Sequence, residues 1–127
     1  MPALPGPLLR RRDTSRQLSG DAAEQQALRH LEGQGLSLRE RNFRCKAGEI
    51  DLIMADRATL VFIEVRKRGS MAFGGAAASV TRNKQMRLIR AAHWYLTRYS
   101  VTPPCRFDVV AVDGGQLSWL KDAFSAD

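Results

Sequence analysis

The fold of this chain is decided by residues 48–67, which read GEIDLIMADRATLVFIEVRK. Two stretches, 49–55 and 59–66, are mainly apolar, and the second is rich in β-branched and aromatic side chains, as is typical of β-strands. Its nearly continuous apolar run favours burial on both faces, at the centre of a sheet. The sequence therefore predicts two strands joined as a hairpin at Arg57-Ala58.

This hairpin brings two carboxylates together. In the register that closes the turn at Arg57-Ala58, Asp51 faces Glu64. Cross-strand neighbours have Cβ atoms about 4.5–5.5 Å apart, so two like charges repel each other there unless a cation neutralises them. Strand alternation places Arg66 on the same face as Glu64 and Lys67 on the other. Asp51, Glu64 and Arg66 are therefore predicted to converge.

Two interpretations of the carboxylate pair stay open. Hard carboxylate oxygens with open water positions suit Mg²⁺, and a cation held there polarises a phosphodiester and activates a water molecule, which is nuclease chemistry. Alternatively, Asp51 ends a strand and Glu64 forms an ion pair with a neighbouring arginine, with both side chains merely solvated. Spacing alone does not separate the two.

The elements around the hairpin predict a single α/β domain. Helical periodicity begins at residue 21 and ends near 33, and a second helix covers 80–99 with an apolar stripe on one side. A polar extended segment precedes the hairpin, and strands 106–112 and 116–120 flank a Gly-rich turn. The predicted order is α-β-β-β-α-β-β, with a mixed sheet flanked by helices.

Two segments are predicted to lack regular structure. Residues 1–19 contain three prolines and four arginines, and we interpret them as a disordered basic arm ahead of a domain at 20–127. Residues 69–79 are small and Gly-rich without a P-loop signature, so a flexible loop is expected.

The charge distribution predicts a polyanionic partner. The 127-residue chain carries a net charge of +7, and residues 57–107 contain ten basic side chains but one acid, Glu64. The longest apolar runs fall short of the ~20 residues needed to span a bilayer, and apolar residues precede the first arginines, the reverse of a signal peptide. A cytoplasmic protein without membrane association is expected. The two cysteines are expected to be reduced core thiols, and neither histidine lies in a nucleophile motif.

An ordered set of motifs resembles the bacterial YraN family. The motifs are GEIDLI at 48–53, LVFIEV at 60–65, Lys84 in a helix and RFDVV at 106–110. That family is similar to the archaeal Holliday junction resolvases of the PD-(D/E)xK nuclease superfamily. The resemblance runs from about Gly20 to Phe124. It implies a restriction-endonuclease-like fold, Mg²⁺- or Mn²⁺-dependent cleavage of DNA, branched DNA as the expected substrate, and a homodimer.

The resemblance also implies site residues. Asp51 and Glu64 become metal ligands, with the backbone carbonyl of Val65 as a third. Glu24 matches the acidic residue that such resolvases carry on their first helix, where it would orient water or a second ion. Alternatively, Glu24 closes a capping box in which Asp21 is the N-cap residue.

One position departs from the family pattern, which ends Glu-x-Lys, because the third residue here is Arg66. A lysine can lose its proton when desolvated and help to activate water, whereas a guanidinium stays charged. The metal alone could generate hydroxide, Lys84 or Lys67 could supply the ammonium, or the protein could bind DNA without cutting it. Lys67 is the weaker substitute because alternation points it away, and Lys84 serves only if its helix packs over the site.

Basic side chains and Trp94 in the second half of the chain predict contacts with DNA phosphates rather than with base edges. Basic residues along one side of a helix are equally consistent with a solvated face. A non-catalytic nucleic-acid-binding protein and a protein-interaction scaffold therefore remain alternatives. The predicted nucleic-acid-binding residues are Lys67, Arg68, Arg82, Lys84, Gln85 and Arg87.

Overall fold

A computed structural model describes residues 15–67 and 80–126, with side chains from residue 20 onward. Two helices and five strands follow one another as α1 (Ser15–Gly33), β1 (Ser37–Cys45), β2 (Gly48–Asp56), β3 (Thr59–Lys67), α2 (Arg82–Leu96), β4 (Cys105–Asp113) and β5 (Gln116–Phe124). The predicted element order and α/β class are confirmed. Neither helix in the described ranges has the length and apolar content required to cross a membrane.

The five strands form one mixed sheet in the order β1-β2-β3-β4-β5. Strands β3 and β4 are parallel, and the other neighbours are antiparallel. A parallel pair requires a crossover connection, and the segment containing α2 provides it. Strand β3 lies at the centre of the sheet, as its continuous apolar run predicts.

Each helix covers one face of the sheet, and β3 contributes to both interfaces. Leu60 and Phe62 pack in the cluster that contains the α2 residues. Val61 and Ile63 alternate to the opposite face and pack in the cluster that contains the α1 residues. The predicted apolar stripe of α2 is confirmed, because its buried residues are Leu88, Ile89, Ala91, Ala92 and Tyr95.

The β2–β3 hairpin has the predicted register. Asp56 pairs with Thr59 beside the turn, and Leu52 pairs with Ile63 at the far end. Arg57 occupies the turn with φ 59°, a conformation that few non-glycine residues adopt. Leu52 is the last residue of β2 that pairs with β3, and Asp51 is its neighbour in the chain. The strand pairing therefore ends beside the predicted carboxylate pair.

Both helices differ from their predicted limits. Helix α1 begins at Ser15, six residues before the predicted start, since the helix-favouring segment 16–18 extends it. Residues 15–19 are therefore helical, whereas the rest of the predicted arm lies outside the described residues. Helix α2 is shorter than predicted, because the Thr81 hydroxyl caps its first turn by accepting from Lys84 N at 3.2 Å. The predicted flexible loop at 69–79 also lies outside the described residues.

The two cysteines are free, and Cys45 packs against the core cluster on the α2 side of the sheet, but the prediction that both belong to the core is wrong for Cys105. Cys45 is partly buried and Cys105 is exposed. Each lies at a strand terminus, where the sheet is incompletely covered: Cys45 ends β1 and Cys105 begins β4.

Candidate functional site

The two carboxylates predicted as metal ligands lie on neighbouring strands, where the β2–β3 ladder ends. Glu64 is buried, with 4% of its surface exposed, and Asp51 is partly buried. The Val65 N–H donates to Asp51 Oδ2 over 2.8 Å. A side-chain oxygen thus accepts a main-chain N–H at the point where the regular strand pairing stops.

Burial raises the pKa of Asp51 well above its usual value, and the negative charge of Glu64 raises it further. The hydrogen bond from Val65 opposes this shift by stabilising the carboxylate, while Glu24 and Glu49 add smaller repulsive contributions. Asp51 is therefore close to three other carboxylates, Glu24 on α1, Glu49 on β2 and Glu64 on β3. A cation bound beside it would relieve the repulsion.

Two basic side chains contact Glu64. Arg66 Nη1 donates to Glu64 Oε2 over 3.1 Å, and Lys84 Nζ lies 3.7 Å from the same oxygen. Helix α2 therefore packs over the carboxylates, which is the condition for Lys84 to reach them. The structure brings Asp51, Glu64, Arg66 and Lys84 together.

Four side-chain polar atoms are buried without a hydrogen-bond partner in the described part of the chain: Arg66 Nε, Glu24 Oε1, Arg41 Nε and Arg106 Nη2. Arg66 and Glu24 are predicted site residues, and Arg41 contacts Glu24. A buried polar group left without a partner costs about 1–3 kcal/mol. Such atoms are expected where a bound ligand or ordered water completes the structure.

Glu24 approaches the carboxylates from α1 but contacts β1. Its Oε1 lies 3.7 Å from Arg41 Nη2, and Arg41 also donates to Gln25 over 3.1 Å. Burial raises the pKa of Glu24, and the charge of Arg41 opposes that shift. The capping-box interpretation is wrong, because α1 begins at Ser15 and places Asp21 inside the helix.

The other predicted DNA-contacting residues differ in their surroundings. Gln85 Nε2 donates to Val80 O, and Gln85 Oε1 accepts from Arg82 Nη1, both over 3.1 Å. The Gln85 amide therefore closes the first turn of α2. Arg87 is exposed, Lys67 is partly buried, and Arg68 lies outside the described residues.

Asp108 is a buried carboxylate that the sequence analysis did not single out. It is fully buried and accepts hydrogen bonds from Arg106 Nε at 3.0 Å, Trp119 Nε1 at 2.9 Å and Asp122 N at 2.9 Å. Arg106 also donates from Nη1 to Asp56 Oδ2 over 3.0 Å. An acid inside the apolar run 107–112 is the signal that could have revealed it, since a buried charge needs partners. Asp108 holds β4 and β5 together and is closed to solvent.

The donors available to a metal ion are few. Over residues 15–67 and 80–126, no group of three or more His, Cys, Asp or Glu side chains is arranged to hold one. The set implied by the resemblance consists of the carboxylates of Asp51 and Glu64 and the Val65 carbonyl. Mg²⁺ usually retains several waters and takes one or two carboxylates, so this set suits it chemically.

The part of the chain that contains this site is similar to a known protein family. The family described as "Uncharacterised protein family UPF0102" matches residues 23–112. The match runs from the second half of α1 to the end of β4. The chain belongs to UPF0102. Because UPF0102 is the YraN family, the predicted family membership is confirmed.

Relatives in the family match this UPF0102 protein along nearly its whole length. The UPF0102 protein of Herminiimonas arsenicoxydans is 58% identical over 118 residues, covering 93% of this chain and 95% of that protein. The one from Janthinobacterium sp. (strain Marseille) is 58% identical over 120 residues, covering 94% and 98%. The one from Cupriavidus metallidurans is 57% identical over 125 residues, covering 98% and 88%.

Proposed function

We propose that this UPF0102 protein is a metal-dependent DNA endonuclease whose reaction centre contains Asp51, Glu64 and Lys84. The observation that carries the proposal is the convergence of two mutually repelling carboxylates, buried Glu64 and partly buried Asp51, with a lysine from α2. Repulsion that raises the pKa of a buried acid destabilises the fold, and such arrangements cluster at functional sites.

The residues at this position fit a divalent cation. Asp51 and Glu64 offer hard oxygen donors whose mutual repulsion a cation would relieve, and the Val65 carbonyl would complete the protein's contribution. Glu24 would orient water near the ion only if it turned away from Arg41, whose Nη2 lies 3.7 Å from its Oε1. Mg²⁺ or Mn²⁺ bound here would polarise the scissile phosphodiester and lower the pKa of a bound water.

Lys84 supplies the ammonium that the Glu-x-Lys pattern has at position 66. Its Nζ lies 3.7 Å from Glu64 Oε2, so its charge is placed beside the carboxylates. An ammonium there can stabilise the charge that develops on the phosphate and can exchange a proton, which a guanidinium cannot. Arg66, whose side chain is 24% exposed beside Glu64, would place its positive charge next to the phosphate instead.

The substrate is DNA, approached through its phosphates. Ten basic side chains against one acid in residues 57–107 favour this polyanion. A preference for branched DNA, action as a homodimer and a cytoplasmic location follow the family resemblance and the sequence, and they stay predictions.

A non-catalytic DNA-binding protein is the second candidate. The contacts of Arg66 and Lys84 with Glu64 favour it, because two cations already neutralise this carboxylate within the chain. In that case the carboxylates hold the basic residues in place for binding and the DNA is not cut.

The two candidates separate in a cleavage assay. Linear, nicked and four-way-junction DNA are incubated with Mn²⁺ and the wild type, Asp51→Asn, Lys84→Met or Arg66→Lys, with circular dichroism as the control for folding. We expect the wild type to cut, and Asp51→Asn and Lys84→Met to be inactive although folded. If the wild type cuts nothing and Arg66→Lys restores cutting, the second candidate is correct. Cutting that survives Asp51→Asn indicates a contaminating nuclease or a different site.

A further inference from the structure

Trp94 is an exposed aromatic side chain on α2. Its exposed fraction is 55%, whereas the adjacent Tyr95 is 4% exposed and packs in the core. Tryptophan is highly buried on average, so an indole with half of its surface in solvent needs an explanation. Trp94 is a single exposed side chain and not a large apolar patch, so its significance depends on the charged residues beside it.

Two arginines share this flank of the helix with Trp94. With about 100° per residue, residues 87 and 94 lie within about 20° of each other around the axis, and residue 90 lies about 40° from residue 94. Arg87 and Arg90 are exposed, and neither has an ion-pair partner among the described residues. We call Arg87, Arg90 and Trp94 the α2 flank.

Arg98, in the turn that follows α2, provides a comparison, because it is an arginine that does contact its neighbours. Arg98 Nη1 lies 3.5 Å from Glu40 Oε1, and the guanidinium carbon lies 3.8 Å from the centre of the Tyr95 ring. The arginines of the α2 flank lack such contacts within the described part of the chain. Their charge is therefore available to a partner.

The α2 flank begins beside the carboxylate pair. Lys84, which contacts Glu64, precedes Arg87 by one helical turn. Arg87 packs on the start of β2, since a Cβ built at Gly48 would lie 3.4 Å from Arg87 Cβ and 3.5 Å from Arg87 O. A rise of 1.5 Å per residue places Trp94 about 15 Å along the helix from Lys84. One DNA strand advances about 3.4 Å per nucleotide, so this separation spans about four or five nucleotides.

We propose that the α2 flank binds the DNA strand that enters the reaction centre, and that Trp94 stacks on an unpaired base about four or five nucleotides from the scissile phosphate. This inference rests on the proposed function and narrows its substrate class. Bases inside a duplex already stack on their neighbours, so the indole gains a contact only where a base is unpaired. Arg87 and Arg90 contact the intervening phosphates.

Charge complementarity favours DNA as the occupant of the α2 flank. A second copy of this chain would place two sets of unneutralised arginines against each other, which costs free energy. A polyanion with exposed base faces satisfies both the arginines and the indole. The substrate is therefore a duplex that carries a single-stranded branch or gap.

Binding in EDTA, where no DNA is cut, tests the inference. Wild type and variants are titrated with two DNAs of equal length, a perfect duplex and a duplex with a single-stranded branch. We expect Trp94→Ala to weaken binding of the branched DNA about tenfold and to leave binding of the duplex unchanged. Trp94→Phe should recover most of the loss. Arg90→Ala should weaken binding of both DNAs, because phosphates are common to both.

Val101→Ala provides a matched control, because Val101 is 81% exposed and lies outside α2. It should bind both DNAs as the wild type does. Fluorescence excited at 295 nm supplies a second readout: branched DNA should quench the wild type and not Trp94→Phe. Trp119, whose Nε1 donates to buried Asp108, then acts as the unquenched internal reference.

Abasic nucleotides locate the stacked base during cleavage in Mn²⁺. An abasic site about four or five positions from the cut should slow the wild type as much as Trp94→Ala does, and should slow Trp94→Ala no further.

Equal binding of the branched DNA by wild type and Trp94→Ala, in a protein whose cutting depends on Asp51, overturns the inference alone. A protein that binds neither DNA contradicts the proposed function as well. A wild-type dimer that Trp94→Ala converts to a monomer overturns the inference and assigns the α2 flank to self-association.

Discussion

Lys84 Nζ lies 3.7 Å from Glu64 Oε2, although residues 65–83 separate them along the chain. The contact joins the first turn of α2 to the central strand, so it exists only because the helix packs across β2 and β3. It places an ammonium beside the carboxylate pair from a direction that the pattern Glu64-Val65-Arg66 does not reveal.

Lys84→Met is expected to lower the rate of DNA cleavage about 100-fold or more, because an ammonium aimed at developing charge is removed while the aliphatic stem is kept. The measurement is single-turnover cleavage in Mn²⁺, with the melting temperature as the control for folding. Lys121→Met is the matched variant, since Lys121 on β5 stacks over Trp119, 4.5 Å from its ring centre. Equal losses in both variants would exclude a specific role for Lys84.

Asp51→Asn is expected to raise the melting temperature of the metal-free protein near pH 7. Burial and Glu64 raise the pKa of Asp51 in the folded state, so the folded protein loses stability as the pH rises from the usual carboxyl pKa through the raised value. Asn removes the charge and can still accept from Val65 N.

The stabilisation by Asp51→Asn should shrink toward pH 4, where the wild-type carboxyl becomes protonated in the folded and unfolded states alike. Melting curves in EDTA between pH 4 and pH 8 measure the trend, with Glu32→Gln at the exposed end of α1 as a control. A melting temperature that falls equally at every pH would mean that the hydrogen bond from Val65 outweighs the repulsion.

Mn²⁺ is expected to stabilise the wild type against unfolding, since it binds the folded carboxylate pair. A concentration 100 times the dissociation constant corresponds to about 2.7 kcal/mol. Thermal melts with increasing Mn²⁺ should show the shift in the wild type and in Asp56→Asn, whose carboxylate pairs with Arg106. The shift should be absent in Asp51→Asn. A full response of Asp51→Asn would place the cation elsewhere.

Asp108→Asn is expected to lower the free energy of unfolding by about 3 kcal/mol, because a neutral amide replaces the buried carboxylate that accepts from Arg106, Trp119 and Asp122. Asp56→Asn should cost about 1 kcal/mol or less, since its side chain is 31% exposed. Urea unfolding midpoints compare the two. If Asp108→Asn instead abolished cleavage at unchanged stability, Asp108 would belong to the reaction centre.

Much of the fold follows from local patterns. The alternation and apolar runs in 48–67 predict β2, β3 and their register, because a strand's periodicity reports which side chains are buried. Helix ends were predicted less accurately. The start of α1 at Ser15 has no apolar periodicity to mark it, and the end of α2 depends on how Thr97 and its neighbours pack.

The candidate site was predicted in part for the same reason. Asp51, Glu64 and Arg66 lie on one hairpin, so a correct register is enough to bring them together. The donors to Asp108 also lie on one hairpin, with Arg106 on β4 and the other two, Trp119 and Asp122, on β5. The strand pairing is irregular between Phe107 and Val109, so strand alternation alone does not predict these contacts.

The sequence by itself determined the order of the elements, the central position of β3 and the pairing that brings Asp51 to Glu64, because local periodicity and a short turn set all three. Only the tertiary structure decided that Lys84 reaches Glu64, that Asp108 is closed to solvent and that Trp94 stays exposed beside arginines without an ion-pair partner among the described residues. The partner of a charged or aromatic side chain depends on which elements pack against each other. That packing is settled by burial over the whole domain, and no short stretch of residues encodes it.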